Sequence, residues 1–566
     1  MTARHATLLF LFLLTALRLA CIGRFELSPD EAYYQMWSER LDWAYFSKGP
    51  GVAVAIRAGT AIFGVNEFGV RVWSPLLALG TSLLLYGVAR RTYGGSVATW
   101  TVLLLNLTPL FTAGSLLMTI DALSIFFWTL TLYAVRRALN AERVATAGQA
   151  LAWWALGGVG LALGFLSKYT NAVELASVAL VLLWVPRWRA VMWRRPGIYV
   201  LTFLGLLGVI PPFLWNRDHA WVTLGHLSAR GNLDTPFEWN IWEPVRFWLA
   251  HFGVYSPLIF LCILIALPWG WRRARLPVRS LFSKRRRAMF PRPRPPLDLD
   301  GENARFLLAF SLPLLAMYGF VSLKTAGEPN WTAPAFLSLS VLATMLWHER
   351  SRARRKTVAR FCVAALVLGA VLSLLVLDTD ALRQAGFRWA YRRDPTSRLY
   401  GWRTLAGTIA DLRARTEKET GAPVFLIANR YQLAAELHFY LTGDAARIER
   451  PGHPPVYLPE SQEFHSQFSF WPGYDEIPAV ENAPPLPADD REMTSEAEFA
   501  RVGKNPFAGR SALFITDNER QNRPASSVES GFEHCDLLAT YELRRRGLPL
   551  RILRVFLCTN YQGAPL

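Results

Sequence analysis

The feature that most constrains this chain is a succession of apolar runs separated by short polar segments. A transmembrane helix needs about 20 predominantly apolar residues, and eleven runs approach or reach that length. They lie near 7–23, 72–89, 96–113, 120–135, 150–166, 170–186, 198–215, 247–269, 304–323, 332–348 and 358–377. With 52% hydrophobic residues and 22 tryptophans, the chain is also too apolar for an ordinary globular protein. We therefore predict a polytopic α-helical membrane protein with about eleven transmembrane helices.

Arginine-rich clusters recur after every second apolar run. They are Arg4, Arg90 with Arg91, Arg136 with Arg137, Arg187 to Arg195, Arg272 to Arg294, and Arg350 to Lys356. In an eleven-span chain all of them fall on one side, which the positive-inside rule makes cytoplasmic. The net charge of +18 is therefore interpreted as a topology signal. The expected surroundings are membrane lipids, and a nucleic-acid partner is not expected.

The pattern changes after about residue 380. Short β-rich runs, VFLIAN, ALFITD and LRILRVFLC, follow charged helical stretches, and a helix-like QLAAELHFYL comes after the first of them. This predicts a transmembrane domain over 1–380 and a small extracytoplasmic α/β domain over 381–566. Residues 452–495 are rich in Pro, Glu and Ser and predict a long loop.

The chain has five cysteines, and none forms a CxxC pair, so a cysteine metal site is not expected. Cys21 lies in a lipoprotein-like context, but Arg18 does not fit a cleavage site, and we interpret residues 7–22 as an uncleaved first helix. Cys535 and Cys558 share the oxidising side. They either form a disulfide or remain two buried thiols.

Polar motifs collect on the outer side. The first outer loop, 24–70, contains SPDEAYYQMWSERLDWAYFSKGP at 28–50. Asp30 and Glu31 there fit a helix start with Ser28 as N-cap, or a functional acidic pair. Asp121, at the outer end of the fourth run, is either a helix-start residue or a third carboxylate of the same layer, with a base or positioning role.

Three lysines also fall in outer segments: Lys48, Lys168 and Lys324. An interfacial lysine often only extends its amine to water, and Arg230 fits an ordinary interfacial anchor. Together these cations would instead form an anion site, for which lipid phosphate is the natural ligand. His219 lies in WNRDHAW without a metal-ligand spacing such as HxxxH, so a solvated histidine is favoured over a metal ligand.

In their order along the chain, these motifs resemble the bacterial branch of glycosyltransferase family 39, the protein O-mannosyltransferase family of the GT-C superfold, which is related to the lipid A aminoarabinose transferases. The stretches that carry the resemblance are DEAYYQMW at 30–37, LDWAYFSKGPGVAVAIRAGTAIFG at 41–64, GVRVWSPLLA at 69–78, MTIDALSIFFW at 118–128, GLALGFLSKYTN at 160–171, WNRDHAW at 215–221, EPNWTAPAF at 328–336, ANRYQLAAELHFY at 428–440 and SQFSFWPG at 466–473.

The resemblance implies an inverting glycosyltransferase of the bacterial cytoplasmic membrane, with its active site on the periplasmic side. It would use a polyprenyl-phosphate-linked sugar and a lipid, glycan or protein acceptor. Asp30 would be the general base with Glu31 beside it, and Asp121 would support the site. The cations Lys48 and Lys168, joined by Lys324 and Arg230, would bind the donor phosphate. Further site candidates within the matching stretches are Tyr33, Tyr45, His219, Glu328 and Asn330.

The sequence departs from its relatives at Ser47, where some of them have an acid that helps to hold a metal. No cofactor is therefore certain, and a divalent metal remains open. Two other classes also fit a polytopic chain. A lipid or glycan transporter needs polar or broken helices near the bilayer midplane, where these runs carry little charge. A non-catalytic homologue that scaffolds glycan assembly would have no need of Asp30, Lys48, Asp121 and Lys168.

Overall fold

The computed structural model describes residues 2–144, 146–185, 188–189, 192–232, 234, 236, 238, 240–275, 298–353, 355–387, 389–476 and 505–563. The chain forms two compact units. The first comprises Met1–Arg24 and Leu41–Leu382, and the second comprises Phe25–Arg40 and Arg383–Leu566. The sequence placed all of 24–70 in the membrane domain, whereas the structure groups 25–40 with the C-terminal unit. The arginine-rich stretch 276–294 lies outside the described residues.

The described part of the chain is mainly helical. In chain order the α-helices are α1 (Ala3–Cys21), α2 (Pro29–Glu39), α3 (Gly51–Phe63), α4 (Glu67–Arg71), α5 (Trp73–Tyr93), α6 (Gly95–Asn106), α7 (Pro109–Gly114), α8 (Ile120–Val144), α9 (Ala147–Ser167), α10 (Val173–Trp184), α11 (Pro196–Leu207), α12 (Ile210–Asp218), α13 (Val222–Arg230), α14 (Trp242–Tyr255), α15 (Pro257–Ala274), α16 (Asp298–Ala309), α17 (Leu312–Val321), α18 (Ala333–Ala353), α19 (Arg355–Leu377), α20 (Asp380–Gln384), α21 (Trp402–Thr420), α22 (Tyr431–Tyr440) and α23 (Ser526–Gly531). Short 3₁₀ turns occupy Tyr169–Ala172, Met192–Arg194, Pro329–Thr332, Tyr391–Arg393, Pro395–Leu399, Gly443–Ala446 and Gln467–Phe470.

Seven helical segments of the described chain are long and apolar enough to cross a membrane. They are Ala3–Cys21, Glu67–Tyr93, Ala147–Ser167, Pro196–Asp218, Pro257–Ala274, Gly301–Val321 and Lys356–Leu377. The protein is therefore a multi-span membrane protein, as predicted, but the predicted number of eleven spans is not confirmed. The predicted run 96–113 is divided between α6 and α7 at Pro109, and 247–269 is divided between α14 and α15. Proline disfavours helical conformation in the residue before it, and Ser256, before Pro257, has φ 71°.

Helices α8 and α9 form a closely packed antiparallel pair. Small residues of α9 permit this approach, since a Cβ built on Gly160 would lie 2.7 Å from Thr131 Oγ1. The Thr131 hydroxyl also donates to the Gly157 carbonyl at 3.4 Å. Because the two helices run in opposite directions, the first turn of α8 lies beside the last turn of α9. Residues 47 positions apart in the chain, Asp121 and Lys168, are thereby brought together.

The C-terminal unit contains a four-stranded mixed sheet, as the β-rich runs predicted. Its strands are β1 (Phe425–Ala428), β2 (Ala512–Thr516), β3 (Phe532–Arg545) and β4 (Leu548–Tyr561), in the spatial order β1-β2-β4-β3. Strands β1 and β2 are parallel, and the other pairs are antiparallel. Three of the strands contain the predicted runs, and the sequence did not single out β3.

Cys535 and Cys558 form a disulfide. They lie directly opposite each other in the antiparallel β3–β4 pair, so the pairing considered from the sequence is confirmed. Of the predicted loop 452–495, the structure describes the part up to residue 476, which is irregular except for the 3₁₀ turn Gln467–Phe470. Residues 477–495 lie outside the described residues.

Candidate functional site

Lys168 is held by a carboxylate and belongs to a small polar network in the first unit. Its amine donates to Asp121 Oδ1 at 2.7 Å, and the Asn330 amide donates to Asp121 Oδ2, also at 2.7 Å. Lys168 is buried. Burial alone would lower the pKa of Lys168, but the charge and hydrogen bond of Asp121 outweigh it and keep that pKa above its ordinary value. The amine is therefore protonated at neutral pH.

The turn that carries Lys48 packs against the end of α9. Tyr45 and Lys48 close this turn with two backbone hydrogen bonds, of 2.9 and 3.3 Å. The next residue, Gly49, is so close to α9 that a Cβ built on it would lie 2.2 Å from the Leu166 carbonyl oxygen. This close packing explains why glycine follows Lys48 in the sequence Lys-Gly-Pro-Gly. Glycine lets this backbone approach α9 and places Lys48 near the turn that presents Lys168.

We expect Gly49→Ala to disturb both the packing and the site, because the new methyl group meets backbone rather than a movable side chain. Overpacking of this kind costs about 1–3 kcal/mol. The thermal unfolding midpoint of the detergent-solubilised protein should fall, and binding of the polyprenyl phosphate that the sequence resemblance implies should weaken. Gly95→Ala is the matched control, since a Cβ at Gly95 meets nothing within 4 Å. Equal behaviour of the two variants would contradict the close approach.

Two further residues, both on α13, join the two lysines. The charges of Lys48 and Arg230 act on His226, and the charge of Arg230 also acts on Lys168. Burial, reinforced by these two cations, lowers the pKa of His226 to about 4. His226 is therefore neutral at physiological pH. We call Lys48, Lys168, Arg230 and His226 the cation cluster. The position of His226 beside these cations could not be predicted from the sequence and became clear only from the fold.

Other predicted residues of the first unit have structural contacts. The Lys324 amine donates to the Asn232 carbonyl at 2.9 Å. The Tyr45 ring is buried, and its hydroxyl accepts the Asp42 amide at 3.2 Å. His219 stacks on Trp215 with ring centroids 4.0 Å apart. Glu328 is exposed at the start of the Pro329–Thr332 turn.

The contacts of His219 lie at a junction between two of the matching stretches. One ring nitrogen of His219 contacts the Trp215 carbonyl at 2.8 Å, and the Trp215 indole donates to Asp42 Oδ2 at 2.7 Å. WNRDHAW is thus joined to LDWAYFSKGP. Among the described residues, no group of three or more His, Cys, Asp or Glu side chains could hold a metal ion.

Asp30, Glu31 and Tyr33 belong to α2 in the C-terminal unit. Asp30 is exposed in the first turn of α2, whereas Glu31 is fully buried. The Ser28 amide and hydroxyl donate to Glu31 Oε2 at 3.0 and 3.1 Å, which is the geometry of a capping box. Tyr33 is buried, and its hydroxyl accepts the Gln467 amide at 2.6 Å. Glu31 and Tyr33 therefore have structural roles within this unit, and their predicted site roles stay predictions.

An apolar cavity of about 210 Å³ opens beside the Asp121–Asn330 pair in the first unit. Both of these residues line it, together with small hydroxyl residues such as Ser74 and Thr108 and with apolar side chains such as Phe336. A charged end next to an apolar space suits a ligand with a polar head and a hydrocarbon tail.

This chain is similar to known proteins in sequence and in fold. Residues 47–215 match the family model described as dolichyl-phosphate-mannose-protein mannosyltransferase. The solved apo structure of ArnT from Cupriavidus metallidurans aligns over 100% of both chains with a TM-score of 0.55 at 14% sequence identity. In sequence and in fold this chain is therefore similar to GT-C glycosyltransferases of the family 39 type. The resemblance predicted from the sequence motifs is confirmed.

Curated relatives of this chain come from bacteria. The lipid A galacturonosyltransferase RgtD of Rhizobium johnstonii is 24% identical over 444 residues, which cover 77% of this chain and 82% of the relative. An undecaprenyl phosphate-α-4-amino-4-deoxy-L-arabinose arabinosyl transferase of Pseudomonas fluorescens is 29% identical and is covered over 59% of its length. ArnT bound to undecaprenyl phosphate aligns over 99% of both chains with a TM-score of 0.52 at 16% identity.

Proposed function

We propose that this protein is a GT-C glycosyltransferase that moves a sugar from a polyprenyl-phosphate-linked donor to an acceptor at the membrane surface. The observation that carries the proposal is the cation cluster beside Asp121 and the apolar cavity. Basic side chains at the end of a membrane helix pair suit a lipid phosphate, and the cavity suits the first part of its polyprenyl chain. The printed names of the curated relatives, which are sugar transferases, support the same reaction class.

The charge of the cluster suits the leaving group better than the intact donor. Lys168 is paired with Asp121, Lys48 and Arg230 supply further positive charge, and His226 is neutral. A phosphodiester donor carries one negative charge, while a phosphate monoester carries about −1.5 to −2 at pH 7. Charge therefore develops on the phosphate as the glycosidic bond breaks. Fixed cations bind that developing charge more strongly than the ground state, and this difference accelerates transfer.

The acceptor hydroxyl needs a base, and the resemblance assigns this role to Asp30. A carboxylate that removes the acceptor proton contributes roughly 10²–10⁴-fold. Attack on the anomeric carbon from the side opposite the phosphate gives inversion. The name of the rhizobial relative favours lipid A as the acceptor, and another envelope glycan or a protein would serve the same chemistry.

The test is binding and turnover with the purified full chain and an undecaprenyl-phosphate-linked sugar. We expect Lys48→Gln to weaken binding of undecaprenyl phosphate about tenfold, since a hydrogen bond to a charged group contributes about 1.5–3 kcal/mol. Lys356→Gln removes an exposed lysine of α19 and is the control. Sugar transfer is followed by mass spectrometry of the acceptor. Wild-type affinity in Lys48→Gln would remove the phosphate role of this lysine.

We further place the cation cluster and the C-terminal unit on the periplasmic side of the bacterial cytoplasmic membrane, because the arginine-rich segments predict the opposite side to be cytoplasmic. A reporter enzyme that is active only outside the cytoplasm should be active when fused after residue 378. The same reporter should be inactive when fused after Gly94, between α5 and α6. The reverse pattern would overturn the predicted orientation.

A further inference from the structure

The C-terminal unit has a large cavity that the proposed transfer reaction does not use. It measures about 980 Å³, and every lining residue belongs to that unit. Among the described residues, six aromatic side chains line it: Tyr431, Tyr457, Phe464, Phe468, Phe470 and Trp471. We call this cavity the aromatic groove. Its volume lies at the upper end of the range for small-molecule pockets, so it has room for more than one ring-sized group.

The groove lies at the end of the sheet where ligands of α/β folds usually bind. Asn429 and Arg430 line it and directly follow β1. Asp517 directly follows the parallel strand β2, and the Arg430 guanidinium donates to Asp517 Oδ1 at 3.0 Å. In open α/β sheets the crevice outside the carboxyl ends of the strands is the common ligand site. The ion pair also neutralises Arg430, so it adds little free positive charge to the groove.

One wall of the groove is held in place by contacts within the unit. The 3₁₀ turn Gln467–Phe470 is fixed by the Gln467 amide, which donates to the Tyr33 hydroxyl. The Phe468 ring lies parallel to that of Tyr33, with centroids 6.2 Å apart, and meets Trp471 edge-on at 5.0 Å. A wall that is ordered before binding reduces the entropy lost on association.

The rim of the groove exposes aromatic surface. Phe464 is 49% exposed and stacks on Phe470 with centroids 5.0 Å apart and an interplanar angle of 5°. A single exposed apolar side chain is common on protein surfaces, whereas adjoining apolar side chains that form a patch are more informative. This stacked pair presents a flat apolar surface beside polar groups.

The polar groups that line the groove include amide and hydroxyl side chains, and most of its charged side chains are acidic. Glu460, Asp475 and Glu476 line the groove and supply three carboxylates, which disfavours a phosphate or nucleic-acid ligand. The carboxylates also make the groove too polar for a hydrocarbon chain. A sugar ring matches both features, since its C–H face packs on aromatic rings and its hydroxyls donate to carboxylates. We propose that the aromatic groove binds a saccharide of two or more rings.

The test measures binding directly in the full chain in detergent, so it does not depend on transfer activity. The probes are the deacylated oligosaccharide of lipopolysaccharide and the neutral oligosaccharide maltotetraose, followed by saturation-transfer NMR and calorimetry. We expect saccharide binding to weaken about tenfold in Phe464→Ala/Phe470→Ala, because an aromatic contact contributes about 0.5–1.5 kcal/mol. Phe387→Ala removes an exposed phenylalanine of the same unit outside the groove and should leave binding unchanged.

The two probes separate the sources of the saccharide. Binding of the lipopolysaccharide oligosaccharide alone would indicate the carbohydrate of an envelope acceptor, and binding of both probes would indicate a general saccharide site. If neither oligosaccharide binds, or if the wild type and the double variant bind with equal affinity, the proposal is overturned. Undecaprenyl phosphate is titrated into the same samples. If undecaprenyl phosphate does not bind while the saccharide still binds, only the proposed transfer function is contradicted.

Discussion

Replacing Asp30 by asparagine should slow sugar transfer by roughly 10²–10⁴-fold, the contribution expected of a general base. Asparagine keeps the size of the side chain but cannot accept the proton of an acceptor hydroxyl at neutral pH. The structural cost should be small. Asp30 is exposed in the first turn of α2, where a negative charge contributes only about 0.3–1 kcal/mol through the helix dipole. Turnover is measured with purified protein, an undecaprenyl-phosphate-linked sugar and its acceptor.

The neighbouring acid provides the comparison. Glu31 is buried and accepts two hydrogen bonds from Ser28, and glutamine also serves in a capping box. Glu31→Gln should therefore leave both the thermal midpoint and turnover close to those of the wild type. Undecaprenyl phosphate should still bind Asp30→Asn, because the cation cluster is intact. Near-wild-type turnover of Asp30→Asn would show that Asp30 is not the base. Glu31 or Asp121 would then be the next candidate.

Hydropathy predicted the helical membrane architecture well and the individual helix ends less well. Average hydropathy treats 247–269 as one run, but Ser256 adopts a left-handed conformation before Pro257 and ends α14. Similarly, 96–113 looks continuous until Pro109 starts a separate helix. The C-terminal strands that were found contain clear apolar runs, as in ALFIT of β2 and LRVFLC of β4. Strand β3 was missed because its sequence, FEHCDLLATYELRR, is mostly exposed and lacks a clear apolar alternation.

The candidate site was likewise predicted only in part from the sequence. Sequence order placed Asp121, Lys168 and Lys324 in outer segments, but it could not assign partners. The close packing of α8 and α9 selects Asp121 for Lys168, whereas Lys324 contacts the Asn232 carbonyl. Outer position alone therefore does not define the phosphate site. Only the approach of backbones at glycines, as at Gly49 and Gly160, brings distant segments into one cluster.

The buried pair of Lys168 and Asp121 gives a second large effect and a way to separate folding from function. Lys168→Gln should reduce transfer by roughly 10²–10³-fold, the usual loss when one group that stabilises transition-state charge is removed. It should also lower the thermal midpoint, because Asp121 loses its cation. Removing one partner of a fully buried pair costs about 3–5 kcal/mol. Here the cost should be lower, since the Asp121 side chain is 22% exposed and keeps the Asn330 hydrogen bond.

The double variant Lys168→Gln/Asp121→Asn distinguishes a catalytic role of Lys168 from a purely structural one. With both charges removed, no carboxylate remains without its cation, and a neutral amide pair of similar shape can replace a buried ion pair at little cost. The thermal midpoint should therefore recover most of its loss. Transfer should stay low, and binding of undecaprenyl phosphate should stay weaker than in the wild type. The reason is that Lys168, the cation proposed to face the leaving phosphate, is missing in this variant as well. If transfer instead recovers together with the thermal midpoint, Lys168 acts only on the structure, and the charge complementarity of the cluster is not the source of catalysis.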